Sequence, residues 1–327
     1  TILDKLIASH IVDDIFKFLP SAFELYRILP KTSQIRAHKG NYYERSEENE
    51  IIERLSEKTF VQVYGLSGMG KTEITIGVAH KLQKKYDTVL WIEGDSVQNS
   101  NIDFNAIKIS KFDKLINLST ILESYSVCVV FDNINTNSSD IFEAFFKHNK
   151  KNSVCLISSL TKSFDDNHSI KLIEVSDEIA SKILFDGNDE LEENKRQKIL
   201  KYTGKHPLIL RILSSSIKNN LFNWDSLISE LDEISRLNDQ DKNQTIANRI
   251  IGKIKQANEK ELAALNFITN RLINQALLEK LIGKIGIGKL LDNTILGKDN
   301  NKNYSIHQIV LDSIKTEVVN LQWIDEF

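Results

Sequence analysis

Phe60-Val61-Gln62-Val63-Tyr64 runs straight into Gly65-Leu66-Ser67-Gly68-Met69-Gly70-Lys71-Thr72, and helical spacing follows. An apolar strand, a loop of the form Gly-x4-Gly-Lys-Thr and a helix start, in that order, predict a phosphate-binding loop. Three of the chain's 13 glycines fall between Gly65 and Gly70. Glycine lets the backbone approach an anion closely and adopt positive φ, so that successive N–H groups and the helix N-terminus can face phosphate oxygens. Gly65, Ser67, Gly68, Met69 and Gly70 are expected to supply the cradle, Lys71 to pair with the β- and γ-phosphates, and the Thr72 hydroxyl to ligate a metal. The ligand expected is ATP or ADP with Mg²⁺. A plain glycine-rich turn before a helix would leave the Lys-Thr pair without a purpose.

Such a loop needs a carboxylate at the end of a neighbouring strand to hold Mg²⁺, directly or through water. Val127-Cys128-Val129-Val130-Phe131-Asp132 provides five apolar residues and then an acid, so Asp132 is the expected catalytic and metal-holding residue. An Asp that merely caps the following turn is the alternative reading of the same pattern. The next residue is Asn133, and a neutral amide cannot serve as a general base. If ATP is hydrolysed at all, slow turnover is expected.

Strand-like and helical patterns alternate around these two motifs. Strands are predicted at 88–92, 127–131, 154–157 and 170–175 besides 60–64, and helices at 47–55, 71–85, 111–125 and 139–147. Apolar strands separated by helices indicate a parallel sheet covered on both faces. Past Val175 the pattern turns helical, at 177–185, 190–202, 207–218, 224–234 and 245–257. From Asn258 come helices at 261–269 and 274–282, a short one near 287–291, two strand-like pieces around Asp299-Asn300 and a last helix at 307–319. Helices followed by a small β-wing suggest a winged helix. The expected fold class is α/β: a P-loop NTPase parallel sheet followed by a helical domain and a winged-helix domain. The expected divisions are a helical arm or linker at 1–40, the nucleotide-binding domain at 41–175, the helical domain at 176–256 and the winged helix at 257–327.

Composition narrows the partners. The 327 residues are 41% hydrophobic and 27% charged with a net charge of −3, which demands neither nucleic acid nor an anionic membrane. Cys128 and Cys155 both lie in apolar runs, where buried reduced thiols are expected, in keeping with a cytoplasmic protein. No apolar run reaches the length of a membrane span. The histidines show no metal-ligand spacing. The chain does not begin with Met, and Met69 is its single methionine, which points to a piece of a longer protein or a processed one.

Between Lys31 and the C-terminus the one proline is Pro207, in Tyr202-Thr203-Gly204-Lys205-His206-Pro207-Leu208. In that context the chain resembles the STAND class of P-loop NTPases, specifically the NB-ARC type of apoptotic, plant-immune and bacterial signalling proteins. That family carries a Gly-x-Pro motif whose proline packs on adenine; Gly204 and Pro207-Leu208 match it with one extra residue between Gly and Pro. Tyr42-Tyr43-Glu44-Arg45 is similar to the family's lead-in motif, which contacts the base, although Glu44 stands where Gly is usual. The strand at Ser153–Ser159 resembles one that ends in Thr-Thr-Arg in the family; here Ser158-Ser159-Leu160 lacks the γ-phosphate-sensing Arg, and Lys162 is the candidate substitute. Ile306-His307-Gln308 is similar to the family's Met-His-Asp motif, so the resemblance implies that His307 reaches the β-phosphate of ADP.

The resemblance, spanning about residues 41–320, implies an ATP/ADP switch that controls self-association and signalling in a defence or cell-death-type response. Sensor or effector regions are expected outside this chain. The alternative is an AAA+-type ATPase with a DNA-binding winged helix. Its candidate recognition helix, 286–291, offers only Lys289, with Lys284 just before it, so a nucleic-acid partner is not expected.

Overall fold

The computed structural model describes residues 35–38, 41–94, 118–134, 139–186, 188, 191–236, 242–266, 272–298 and 303–317. They gather into two compact units: one takes in residues 46–64 and 75–170, the other residues 36–45, 65–74 and 171 onward.

The first unit is built on a sheet in which five strands are described: β1 (Phe60–Tyr64), β2 (Thr88–Glu93), β3 (Val127–Ile134), β4 (Val154–Ser159) and β5 (Ser169–Lys171). The strand order is β2-β3-β4-β1-β5, and the β2–β3, β3–β4 and β4–β1 pairs are parallel. Every residue of Val127–Asp132 and Val154–Ser159 is buried, as strands covered on both faces require. The helices of this unit are α1 (Glu47–Glu57), α2 (Lys71–Leu82), whose first turn lies in the other unit, α3 (Leu118–Ser124) and α4 (Ser139–His148). Leu118, Ile121, Leu122 and Phe145 pack into one apolar cluster with Val127, Val129 and Phe131 of β3.

A polar core within that sheet ties β1 to the chain beyond β4. Gln62 donates to Ser159 Oγ and the Thr161 carbonyl, and its own oxygen accepts from the Ser163 N–H and the Ser169 hydroxyl. A buried amide is tolerable because both its ends are satisfied.

The second unit is mainly helical: α5 (Asp177–Leu184), α6 (Glu193–Thr203), α7 (Pro207–Lys218), α8 (Trp224–Arg236), α9 (Lys242–Asn266), α10 (Gln275–Asp292) and α11 (Gln308–Glu317). Its termini follow local chemistry. The Ser176 hydroxyl accepts from the Ile179 N–H to start α5, Asn274 caps α10 through the Ala276 N–H, and α6 ends at the left-handed Gly204. A three-stranded antiparallel sheet, order β6-β8-β7, is formed by β6 (Leu272–Asn274), β7 (Leu296–Lys298) and β8 (Asn303–Ile306). One apolar cluster extends from Val175 to Ile314.

Several elements differ from expectation. The strand expected at 170–175 pairs only over Ser169–Lys171; Leu172 and Val175 are buried from non-strand backbone. The helices expected at 245–257 and 261–269 join into α9, broken only by the non-helical Asn258, and the two expected at 274–282 and 287–291 join across Gly283, whose φ is 67°. Strand β6 was not expected; it is only three residues long and runs directly into a helix. Residues 1–34 and 39–40 of the arm expected at 1–40, and residues 111–117 of the helix expected at 111–125, lie outside the described residues.

Candidate nucleotide-binding site

The glycine loop leaves the carboxyl end of β1 and opens α2. Its carbonyls are held by side-chain donors. Lys71, 8% exposed, donates from Nζ to the Gly65 and Leu66 carbonyls, both at 2.9 Å. Arg45, 6% exposed, donates to the Met69 carbonyl and the Ile173 carbonyl, both at 3.1 Å. His206 Nε2 lies 3.0 Å from the Ser67 carbonyl. A carbonyl can only accept, so Nε2 carries the imidazole proton, and Nδ1 is left to accept from the Ile209 N–H. A trans peptide is planar, with its N–H opposite its C=O. Holding the Ser67 and Met69 carbonyls therefore turns the Gly68 and Gly70 N–H groups the other way, as an anion cradle needs.

Two of the glycines are required by close approach. A Cβ on Gly65 would lie 2.7 Å from the Leu172 carbonyl oxygen. Gly68 has φ +81°, and a Cβ there would come within 2.6 Å of His206 Cε1 and 2.8 Å of Leu208 Cβ. Gly65 and Gly68 thus serve packing against residues far along the chain.

Asp132 ends the buried stretch of β3 and is 2% exposed. Ser158 of β4 donates its hydroxyl to Asp132 Oδ1 at 2.5 Å and accepts the Asn133 N–H at 2.7 Å. Asn133 sits at φ 59° where the register with β4 shifts, a left-handed position that Asn tolerates. The residue that lacks a general base's carboxylate is thus also the one that shapes the bulge after the acid. Within the sheet β4 lies between β3 and β1, and the parallel pairing puts the carboxyl ends of β3 and β1 on the same edge.

The remaining expected residues are placed as follows. Tyr42 stacks on His38, with ring centroids 4.0 Å apart, and His38 Nδ1 meets Glu73 Oε2 at 2.8 Å. Tyr43 donates to the Lys182 carbonyl, and burial followed by the nearby Asp186 pushes its phenol pKa upward. The lead-in segment is further held by Arg211 of α7, which donates to the Asn41 carbonyl. Pro207 is the first residue of α7 and Leu208 is buried behind Gly68. His307 is half-buried between β8 and α11, where its carbonyl accepts from the Val310 and Leu311 N–H groups. Lys162 is exposed and ion-paired to Asp166. Sequence reasoning missed His206 and Ser158 as side chains that support the loop and the acid.

No protein-family model and no curated protein sequence matches the chain. Among solved structures it is similar to a STAND-class signal-transduction ATPase with a tetratricopeptide-repeat sensor from Pyrococcus horikoshii, at 15% identity and TM-score 0.58, over 90% of this chain and 45% of that one. The chain is a P-loop NTPase in fold. It spans less than half the length of that relative. Weaker likenesses include a Walker-type ATPase of Pyrococcus abyssi (10% identity, 89% of this chain and 99% of that one, TM-score 0.44) and AMPPCP-bound DnaA from Aquifex aeolicus (13%, 67% and 82%, TM-score 0.39). Nucleotide binding accords with the P-loop NTPase fold. Among the described residues no helix is long and apolar enough to cross a membrane, and no cluster of His, Cys, Asp or Glu could hold a metal on its own.

Proposed function

We propose that this chain is an ATP/ADP-dependent molecular switch of the STAND class and NB-ARC type, controlling self-association and signalling in a defence or cell-death-type response. The observation that carries the reading is that the phosphate-binding loop is tied by Arg45 and His206 to the lead-in segment and to the start of α7. A change at the phosphates is then felt directly by helical elements far along the chain.

In this reading the loop N–H groups and Lys71 take the phosphates, Lys71 exchanging its loop carbonyls for β- and γ-oxygens. Thr72 and Asp132 hold Mg²⁺, which offsets phosphate charge. Tyr42, Tyr43, Arg45, Pro207 and Leu208 flank the base, and His307 closes on the β-phosphate of ADP. Residues 41–175 act as the nucleotide-binding domain, 176–256 as the helical domain and 257–327 as the winged helix. The two nucleotides must favour different arrangements of these parts, since a ligand with equal affinity for both states shifts nothing. Asn133 keeps hydrolysis slow, so the state is set by exchange.

The DNA-binding alternative is disfavoured by the one basic residue of its recognition segment: Lys289 pairs with Glu261 at 3.0 Å, while Gly286, Ile287 and Leu290 are buried. The test is to denature the purified protein and identify any released nucleotide by chromatography. Released ADP is expected; a protein that neither carries nor takes up adenine nucleotide contradicts the proposal.

A further inference from the structure

We propose that His206 is a positioning residue of the phosphate-binding loop: its imidazole fixes the Ser67–Gly68 peptide so that the Gly68 N–H is offered to phosphate, making nucleotide affinity depend on the start of α7. This rests on the reading of the loop as a nucleotide site.

His206 does two jobs with one rigid ring. Nδ1 caps α7 by accepting the Ile209 N–H, and Nε2–H donates to the Ser67 carbonyl, 139 positions away in sequence. The residue is 2% exposed, so the bond is shielded from competing water. Ser, Asp or Asn could cap the helix but not reach the loop, while Lys or Arg could reach but not accept. A neutral imidazole satisfies both at a fixed separation. The loop is built to receive it, since only a residue without a Cβ at position 68 lets the ring come so near. The peptide it holds is the one whose N–H belongs to that same glycine. A loop held in its binding conformation loses less freedom when a phosphate arrives, so the bond contributes to affinity without touching the ligand.

Two substitutions separate the two jobs. His206→Asn keeps an acceptor where Nδ1 stands but has no donor at the Nε2 position. His206→Gln places an N–H donor near Nε2 but loses the cap. Mg·ADP is titrated into nucleotide-stripped wild type, both variants and Lys71→Ala, and melting temperatures are recorded. His206→Asn is expected to melt near wild type yet bind ADP about tenfold more weakly, the worth of one buried hydrogen bond. His206→Gln is expected to regain most of the affinity while melting earlier, a pattern a purely structural histidine does not produce. Wild-type affinity in His206→Asn, or equal weakness in both variants, overturns the proposal. If wild type and Lys71→Ala bind ADP alike, the nucleotide reading of the loop fails instead. The imidazole Nε2–H resonance then decides the brace by itself: protection from water exchange supports it, and rapid exchange overturns it.

Discussion

The loop after β1 and the end of β3 are two polar devices built in opposite ways. Lys71 at the loop's own end and Arg45 and His206 from two distant stretches of sequence hold the loop's backbone carbonyls. At the end of β3, the short Ser158 hydroxyl from the adjacent, register-locked strand holds a carboxylate. Long, separately rooted donors can be exchanged one at a time. A hydroxyl on a neighbouring strand of a buried sheet has no such freedom. In the proposed switch this divides the labour: the metal-holding acid stays fixed, and the phosphate cradle is where nucleotide state becomes movement.

The largest expected effect falls on the loop. Lys71→Ala is predicted to weaken ATP and ADP binding by about a hundredfold, as loss of a charge-assisted contact to phosphate implies, with the fold intact. Calorimetric titration checks this, and wild-type affinity would remove the loop from the binding site. Gly68→Ala comes next. A methyl at φ +81° facing His206 and Leu208 is expected to cost about 1–3 kcal/mol of stability and to weaken binding as well. An unchanged melting curve would mean that the loop and α7 are not in contact.

Ser158→Ala probes the stiffer device. It removes the donor to Asp132 and the acceptor of the Asn133 N–H, for an expected cost of about 1–3 kcal/mol. The Mg²⁺ dependence of ATP binding should weaken while metal-free ADP binding holds. An equal fall in both would mean that the acid and the loop do not act separately. The smallest effect is expected at the thiols within that strand pair, Cys128 of β3 and Cys155 of β4. Burial pushes the Cys128 thiol up to about 12 and raises Cys155 as well. Both stay protonated at pH 8, so an alkylating reagent should leave them unmodified until the protein unfolds. Rapid labelling of the native protein would show that the sheet opens readily.

Local chemistry made much of this legible in the sequence. Phe60–Thr72 and Val127–Asp132 carry their own signals, an apolar run ending in glycines or in an acid, and strands β1 and β3 stand where those runs are. The chain after Ser169 misled because apolar spacing reports burial and not pairing: Leu172 and Val175 are buried without extending β5. Asn133 read as a missing base, and its left-handed backbone at a register shift became visible only with β4 beside it. His206 was hidden for a different reason. Its cap position beside Pro207 is a local signal, whereas its bond to Ser67 joins residues 139 positions apart, and no periodicity encodes such an approach. Arg45 is similar: the resemblance to the family's lead-in motif implied a base contact, and the bonds of its guanidinium to the Met69 and Ile173 carbonyls, which a buried charge needs as acceptors, carried no signal in the sequence.

The central claim is that ADP and ATP favour different arrangements of the same chain. Small-angle X-ray scattering of the nucleotide-stripped protein, loaded with ADP and separately with Mg·ATP, tests it most directly. The account predicts two distinct profiles, the ADP form smaller in radius of gyration and the ATP form expanded or self-associated. Superimposable profiles at saturating nucleotide would contradict it, because a switch whose two ligands leave the same arrangement is not a switch.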